Sequence, residues 1–141
     1  MRVSRRLDYG IGVLVYLARC GGIAHASDMA TARGIPELYL DQILALLRRA
    51  GLVASKRGPA GGYWLAQPPS KITLSRVVEA VGDGSSLPCL KSADTCSRAF
   101  TCVQREVWQR VEETTSRLLA ATTIMDHARQ EEGRQGGMFR I

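Results

Sequence analysis

The chain has 141 residues, 45% of them apolar and 23% charged, which is the composition of a folded domain and excludes a disordered chain. No apolar run reaches the ~18 residues of a membrane span and no signal peptide is recognisable, so we expect a cytoplasmic protein with reduced thiols and no membrane partner. The net charge of +6 is concentrated, because residues 1–70 carry nine Lys or Arg against four Asp or Glu, which indicates a nucleic-acid partner.

Short helices followed by a hairpin are predicted for the first 82 residues. Apolar residues recur at helical spacing, and glycines stand where the helices end. The predicted elements, in chain order, are helices over 3–19, 27–33 and 36–50, strands near 52–56 and 62–66, and a helix over 74–81. This order predicts a mainly α (α+β) fold, with a winged helix-turn-helix domain over 1–82 whose wing is a two-stranded β-hairpin.

The remainder of the chain is predicted to contain a cysteine loop over 83–102, one long helix over 103–132 and a flexible tail over 133–141. The helix is indicated by apolar or small residues at three- to four-residue spacing: Val103, Val107, Val111, Leu118, Thr122 and Met125. A helix of that length, about 40 Å, cannot bury its apolar stripe against one small domain. We therefore expect it to pair with the same helix of a second subunit.

The third helix is the predicted reader of the DNA major groove. Its outer side offers Tyr39, Asp41 and Gln42, and amide and carboxylate groups can pair with base edges. The alternative is that these residues are simply a solvated surface. The groups predicted to bind the DNA backbone or the minor groove are Arg2 and Arg5 at the first helix N-terminus, and Arg48, Lys56, Arg57, Gly61 and Gly62 in and before the wing.

Three cysteines follow the linker in the spacing Cys89-x6-Cys96-x5-Cys102. Thiolates are soft ligands for iron–sulfur clusters, zinc and copper(I), and zinc sites favour closer pairs than these. A cluster or metal ion bound by these three thiolates needs a fourth ligand from another residue or from outside the chain. A structural zinc site or a thiol redox switch is the alternative to a cluster, and Cys20 is predicted to be a small core residue.

Several segments together resemble the IscR/NsrR family of bacterial transcription regulators. They are MRVSRRLDYG, IPELYLDQILALLRRAGLV, the wing SKRGPAGGYWLA and the Cys89–Cys102 loop, and the resemblance runs from residue 1 to about 130. It implies a homodimer joined by the long helix that binds palindromic operators, usually as a repressor. It also implies that Tyr39, Asp41 and Gln42 face bases.

In cluster-binding members of this family the loop cysteines are ligands, which implies that Cys89, Cys96 and Cys102 hold an iron–sulfur cluster. The 2Fe–2S members carry a histidine three residues after the third cysteine, where this chain has Arg105. In the nitric-oxide-sensing branch an aspartate of the first helix, matched by Asp8, completes the site from the partner subunit. A 4Fe–4S cluster is favoured, 2Fe–2S stays open, and nitric oxide or an oxidant is the expected effector. The alternative for Asp8 is a salt bridge with a neighbouring arginine.

Catalytic motifs are missing from the sequence. There is no nucleophile–base pair in a recognisable context, no G-x-x-x-x-G-K-[ST] phosphate loop and no pair of catalytic histidines. The glycines at 58–62 belong to a basic hairpin tip and not to a strand-to-helix turn. We therefore expect a regulator and not an enzyme.

Overall fold

A computed structural model describes residues 3–82, 90, 92, 94 and 96–138, with side chains through residue 135. The elements in the described part of the chain are α1 (Arg5–Cys20), α2 (Ala26–Arg33), α3 (Glu37–Arg49), β1 (Val53–Lys56), β2 (Gly62–Leu65), a 3₁₀ turn (Pro69–Lys71), α4 (Leu74–Val81), α5 (Val103–Ala121) and α6 (Ile124–Met138). The predicted winged helix-turn-helix order is confirmed. No described helix is both long enough and apolar enough to cross a membrane.

The first helix shows how local sequence sets its ends. The Ser4 hydroxyl accepts a hydrogen bond from the Leu7 backbone N–H at 3.1 Å, which caps the N-terminus. Gly21 ends the helix in the left-handed conformation, with φ 69°. Within the helix, Gly10 is buried, and a Cβ at this position would lie 3.2 Å from Val81 Cγ1. This glycine therefore lets α1 and α4 pack closely.

One hydrophobic core joins the helices to the base of the wing. Fully buried side chains come from α1, α3, α4 and the segment before β1: Val13, Leu14, Leu17, Leu40, Ile43, Leu44, Leu47, Leu52 and Val77. The start of α6 also enters this core through Ile124, and Ala128 follows one turn later. Burial of such side chains, each worth about 1.5–3 kcal/mol, holds α3 against the rest of the domain.

The wing is a two-stranded antiparallel sheet in which Val53 pairs with Leu65 and Lys56 with Gly62. A further bridge joins Ala24 to Tyr63, with both backbone hydrogen bonds at 2.8 Å. The wing is therefore fixed to the loop between α1 and α2 as well as to the end of α3.

The single helix predicted over 103–132 is two helices, α5 and α6, separated at Thr122 and Thr123. There the chain is extended, and Thr123 forms a bridge with Thr73, with Leu74 N–H to Thr122 O and Ile124 N–H to Ile72 O both at 2.9 Å. The α6 N-terminus is closed by reciprocal bonds: Thr123 N–H donates to Asp126 Oδ2, and Asp126 N–H donates to Thr123 Oγ1. The apolar periodicity of the sequence continues across Thr122 and Thr123. The helix nevertheless breaks there, because backbone hydrogen bonds to residues 72–74 replace the helical ones.

The end of the chain also differs from the prediction. Helix α6 continues through Met138, so most of the predicted tail over 133–141 is helical. Residues 139–141 lie outside the described part.

Candidate functional site

One side of α3 is available for contact with a partner. At 100° per residue, its outward side chains fall within an arc of about 100° opposite the buried stripe. They are Leu38, Asp41, Gln42, Ala45 and Arg49, and all are exposed. Leu38 is 82% exposed and lies near the middle of this arc, which we call the reading face.

Tyr39, predicted to face bases, has a different environment from Asp41 and Gln42. Its ring contacts Tyr9 of α1 edge to face, with ring centroids 5.7 Å apart and planes at 77°. The side chain is half-buried and packs against the core. The structure therefore places Tyr39 beside the reading face, at the joint between α1 and α3.

The basic residues before and within the wing divide into two kinds. Lys56 and Arg57 are exposed at its tip. Arg48 is also exposed, but its Nη1 donates to Ser55 Oγ at 3.0 Å, which ties the end of α3 to β1. The wing tip therefore presents two exposed cations, and Arg48 helps to orient the wing against α3, the helix that carries the reading face.

Gly61 and Gly62 are required by the wing itself. A Cβ on Gly61 would overlap the Lys56 carbonyl oxygen. Gly62 has φ 146°, and its Cβ would lie 2.7 Å from the Ala24 carbonyl oxygen. Sequence reasoning assigned both glycines to DNA contact, and the structure adds that the hairpin cannot close without them.

The N-terminus of α1 contributes fewer cations than the sequence suggests. Arg5 is exposed, whereas Arg6 Nη1 donates to the Val81 carbonyl oxygen at 3.2 Å and so supports the end of α4. Arg2 lies outside the described residues.

The cysteine segment is described only in part, and Cys89 lies outside the described residues. Cys96 is an exposed free thiol, and Cys102 is a half-buried free thiol at the N-cap position of α5. Cys96 and Cys102 enclose a turn with Ala99 N–H bonded to Cys96 O at 3.2 Å. Among the described residues, no group of three or more Cys, His, Asp or Glu side chains is gathered as a metal site.

Cys20 does not lie in the core as the sequence predicted. Its thiol is exposed and lies 3.9 Å from the Ile23 carbonyl oxygen. The prediction was wrong because the last turn of α1 extends beyond the buried stripe that ends at Leu17.

Asp8 is exposed in the first turn of α1. Within the described residues it forms no ion pair with Arg5 or Arg6, so the alternative of a salt bridge to these two arginines is not realised. Asp8 lies on the rim of a cavity of about 540 Å³ between α1 and α6, which is also lined by His127 and Arg134. Among the described residues, the Asp8 carboxylate forms no ion pair.

A charged cluster that sequence reasoning missed joins α6 to α1 and α2. Arg33 binds Glu131 with two hydrogen bonds, 2.7 Å to Oε1 and 2.9 Å to Oε2, and Arg19 Nη1 lies 2.9 Å from Oε2. These arginines lower the pKa of Glu131, against the opposing effect of burial. No local pattern could reveal this cluster, because Arg33 and Glu131 are 98 residues apart in sequence.

Helix α5 has no buried side chains. Val103, Val107, Val111 and Leu118 are all exposed and fall within an arc of about 80°. This surface, the α5 stripe, is much more apolar than a solvated helix face and is continuous along the helix.

A recognition helix with a free outer face and a basic hairpin beside it define a winged helix-turn-helix protein of the kind that binds DNA. The chain belongs to the Rrf2 family, described as iron-dependent transcriptional regulators, whose family model matches residues 3–130. The predicted resemblance is thereby confirmed at the level of the family, whereas its nitric-oxide-sensing branch stays a prediction.

Individual relatives agree with this assignment. The chain is similar to the HTH-type transcriptional regulator IscR of Yersinia enterocolitica, with 30% identity over 89% of this chain and 78% of the relative. The solved structure of T. potens IscR has a TM-score of 0.79 and 28% identity over 96% and 91% of the two chains. The structure of CymR, the global cysteine regulator of B. subtilis, has a TM-score of 0.76 and 30% identity over 92% and 98%. These relatives are regulators, in agreement with the expectation of a non-enzyme.

Proposed function

We propose that the protein is a homodimeric transcriptional regulator, acting as a repressor in the cytoplasm, that binds a palindromic operator through the reading face of α3 and the wing. The observation that carries this proposal is the exposed reading face of α3, on a helix joined by the Arg48–Ser55 hydrogen bond to a wing with exposed Lys56 and Arg57 cations. Asp41 and Gln42 supply an acceptor and a mixed donor–acceptor for base edges. Lys56, Arg57 and Arg5 supply positive charge for phosphates.

We propose that the α5 stripe is covered by α5 of a second copy. Four exposed aliphatic side chains in one arc suit a self-complementary helix pair, and Arg and Glu residues flank them on the same helix. A symmetric dimer would present two α3 helices to successive half-sites of a palindrome.

We further propose that an iron–sulfur cluster, 4Fe–4S in preference to 2Fe–2S, is held by Cys89, Cys96 and Cys102 with Asp8 of the partner subunit. The donor chemistry fits, since Cys96 and Cys102 are free thiols outside the core and Asp8 is an exposed carboxylate without an ion pair among the described residues. Such a cluster would supply reactivity toward nitric oxide or oxidants.

Asp8 connects this site to DNA binding in a simple way. It lies on α1, which packs against α3, so a bond from Asp8 to the other subunit would set the separation of the two reading faces. Release of Asp8 would let that separation change, and a difference of about 1.4 kcal/mol between the two arrangements would alter operator affinity tenfold.

A thiol switch or a structural zinc site is the second candidate. The exposed thiols of Cys20 and Cys96 favour the thiol switch, because both are accessible to an oxidant. The similarity to CymR, the global cysteine regulator of B. subtilis, is in keeping with a regulator that has no cluster.

Two measurements on anaerobically purified protein test these proposals. Iron, acid-labile sulfide and zinc are counted per chain, and the visible absorbance is followed as nitric oxide is added. A brown protein with stoichiometric iron and sulfide supports the cluster, whereas a colourless protein with zinc or with no metal supports the second candidate. The Asp8→Ala variant should lose its nitric-oxide-dependent release from DNA, and Asp28→Ala, which removes an exposed first-turn carboxylate from α2, should not.

DNA binding is tested separately. Binding sites are enriched from a random duplex library, and affinity is measured against salt. Replacing Lys56 and Arg57 by alanine should reduce the slope of log K against log salt by about 0.9 for each phosphate that the variant no longer neutralises. Lys71→Ala, an exposed cation outside the wing, is the matched control. Failure to enrich any sequence would refute the proposed function.

A further inference from the structure

Leu38 is the most exposed aliphatic side chain on the recognition helix. Its exposed fraction is 82%, whereas Leu40, Leu44 and Leu47 of the same helix are at most 1% exposed. The difference follows from helical spacing, since Leu38 points away from the buried stripe. Nothing in the core or in α3 packing requires a leucine at this position.

The position of Leu38 within the helix is informative. It is the second residue of α3, in the first turn, and the N-terminal residues of a recognition helix are those that approach base edges. Along the reading face it is followed by Asp41 and Gln42, one turn further on. Leu38 therefore lies among polar groups suited to bases, with no hydrogen-bonding capacity of its own.

The major groove offers one apolar feature, the C5 methyl group of thymine. An aliphatic side chain in the groove can bury that methyl, whereas a cytosine at the same place leaves the side chain against a polar edge. Leu38 also leaves water when the groove closes over it, so the contact stabilises the complex by the hydrophobic effect.

We propose that Leu38 is a specificity-determining residue that contacts the C5 methyl of a thymine in each half-site, an inference that rests on the proposed DNA-binding function. Tyr39, which the family resemblance implies to face bases, is half-buried with its ring against Tyr9. Leu38 is the largest exposed apolar side chain on the reading face, and it lies in the first turn of α3.

The test uses the full chain and the duplex enriched from a random library. Each thymine of one half-site is replaced in turn by deoxyuridine, which removes only the methyl group. For the unmodified protein, one position should weaken binding by about fourfold, the factor expected for one buried methyl group. Leu38→Ala should lose sensitivity at that position, and Gln42→Ala should keep it while losing discrimination elsewhere.

The test distinguishes failure of the thymine contact from failure of the proposed DNA-binding function. If no deoxyuridine position affects the unmodified protein, or if Leu38→Ala keeps the full sensitivity, the thymine contact is refuted while DNA binding stands. If no duplex is enriched at all, the proposed function itself fails, and the inference fails with it. Because Leu38 is exposed, its replacement by alanine should leave the thermal unfolding curve unchanged, so reduced sensitivity cannot be assigned to misfolding.

Discussion

The cluster of Glu131 with Arg33 and Arg19 provides a quantitative prediction. Glu131→Gln keeps the size of the side chain but removes its charge, so three charge-assisted hydrogen bonds of 2.7–2.9 Å become neutral or are broken. Each side chain is between 22 and 29% exposed, so solvent weakens the pairs. Exposed pairs contribute about 0.2–1 kcal/mol each, so for the two pairs we expect a loss of about 0.4–2 kcal/mol in the free energy of unfolding.

Thermal unfolding followed by circular dichroism measures this loss. At fixed protein concentration and neutral pH, the melting temperature should fall by about 1–7 °C. Glu132→Gln, an exposed neighbour with the same change in net charge, should melt close to the unmodified protein. The difference between Glu131→Gln and its control should shrink in 1 M salt, where the Debye length is about 3 Å.

The pH dependence gives an independent check. The arginines hold the pKa of Glu131 below its ordinary value of 4.5, so the folded state favours the ionised carboxylate. The resulting stability is complete above the ordinary pKa and is lost as pH falls through the lowered one. The Glu131→Gln protein should therefore approach the unmodified protein in stability as the pH falls below the ordinary pKa of 4.5 and through the lowered one. Equal stability of the two proteins at pH 7 would refute the reasoning.

Three other substitutions probe the fold. Asp126→Ala removes the capping carboxylate of α6, whose pKa is lowered by hydrogen bonds from Thr123. The variant should melt at a lower temperature than the unmodified protein at neutral pH, and this difference in melting temperature should vanish in acid. An unchanged melting temperature at neutral pH would contradict the cap. Gly61→Ala should destabilise the wing by more than about 2 kcal/mol, because its Cβ would overlap the Lys56 carbonyl oxygen. Gly58 has φ 107° and open space around it, so Gly58→Ala should cost only about 1 kcal/mol. Equal denaturant midpoints for the two variants would contradict this ranking. Val107→Glu should convert the dimer to a monomer in sedimentation velocity, and a persisting dimer would remove the α5 stripe as the interface.

The winged helix-turn-helix domain could be predicted because its signals are local. A serine cap, glycines with positive φ after α1 and α2, and short apolar strands around a turn rich in Gly and Pro act within a few residues of the structure that they set. The end of α5 has a local signal as well, since Thr123-Ile124-Met125-Asp126 matches a capping box. That signal was masked by a continuing apolar period, which alone cannot reveal pairing with residues 72–74.

The residues of the candidate site could be predicted only where a polar side chain, recognisable from the sequence, is also exposed in the structure. Asp41, Gln42 and Arg57 are polar, and each is exposed where the sequence placed it. Tyr39 is a suitable base contact by residue type, but a partner on α1 fixes its ring. Leu38 was missed because a leucine in a helix is first expected in the core, and only the direction of its side chain shows otherwise.

The structure also changes how the basic first half of the chain should be understood. Arg19 and Arg33 are paired with Glu131, Arg6 donates to the Val81 carbonyl and Arg48 donates to Ser55. These arginines stabilise the domain and orient the wing, so the excess of positive charge is not all directed at a partner. Within residues 3–70, the exposed cations that form no side-chain hydrogen bond or ion pair are Arg5, Arg49, Lys56 and Arg57. Because only cations that meet phosphates release counterions, the salt dependence of DNA binding should reflect this smaller set and not the full basic content of residues 1–70.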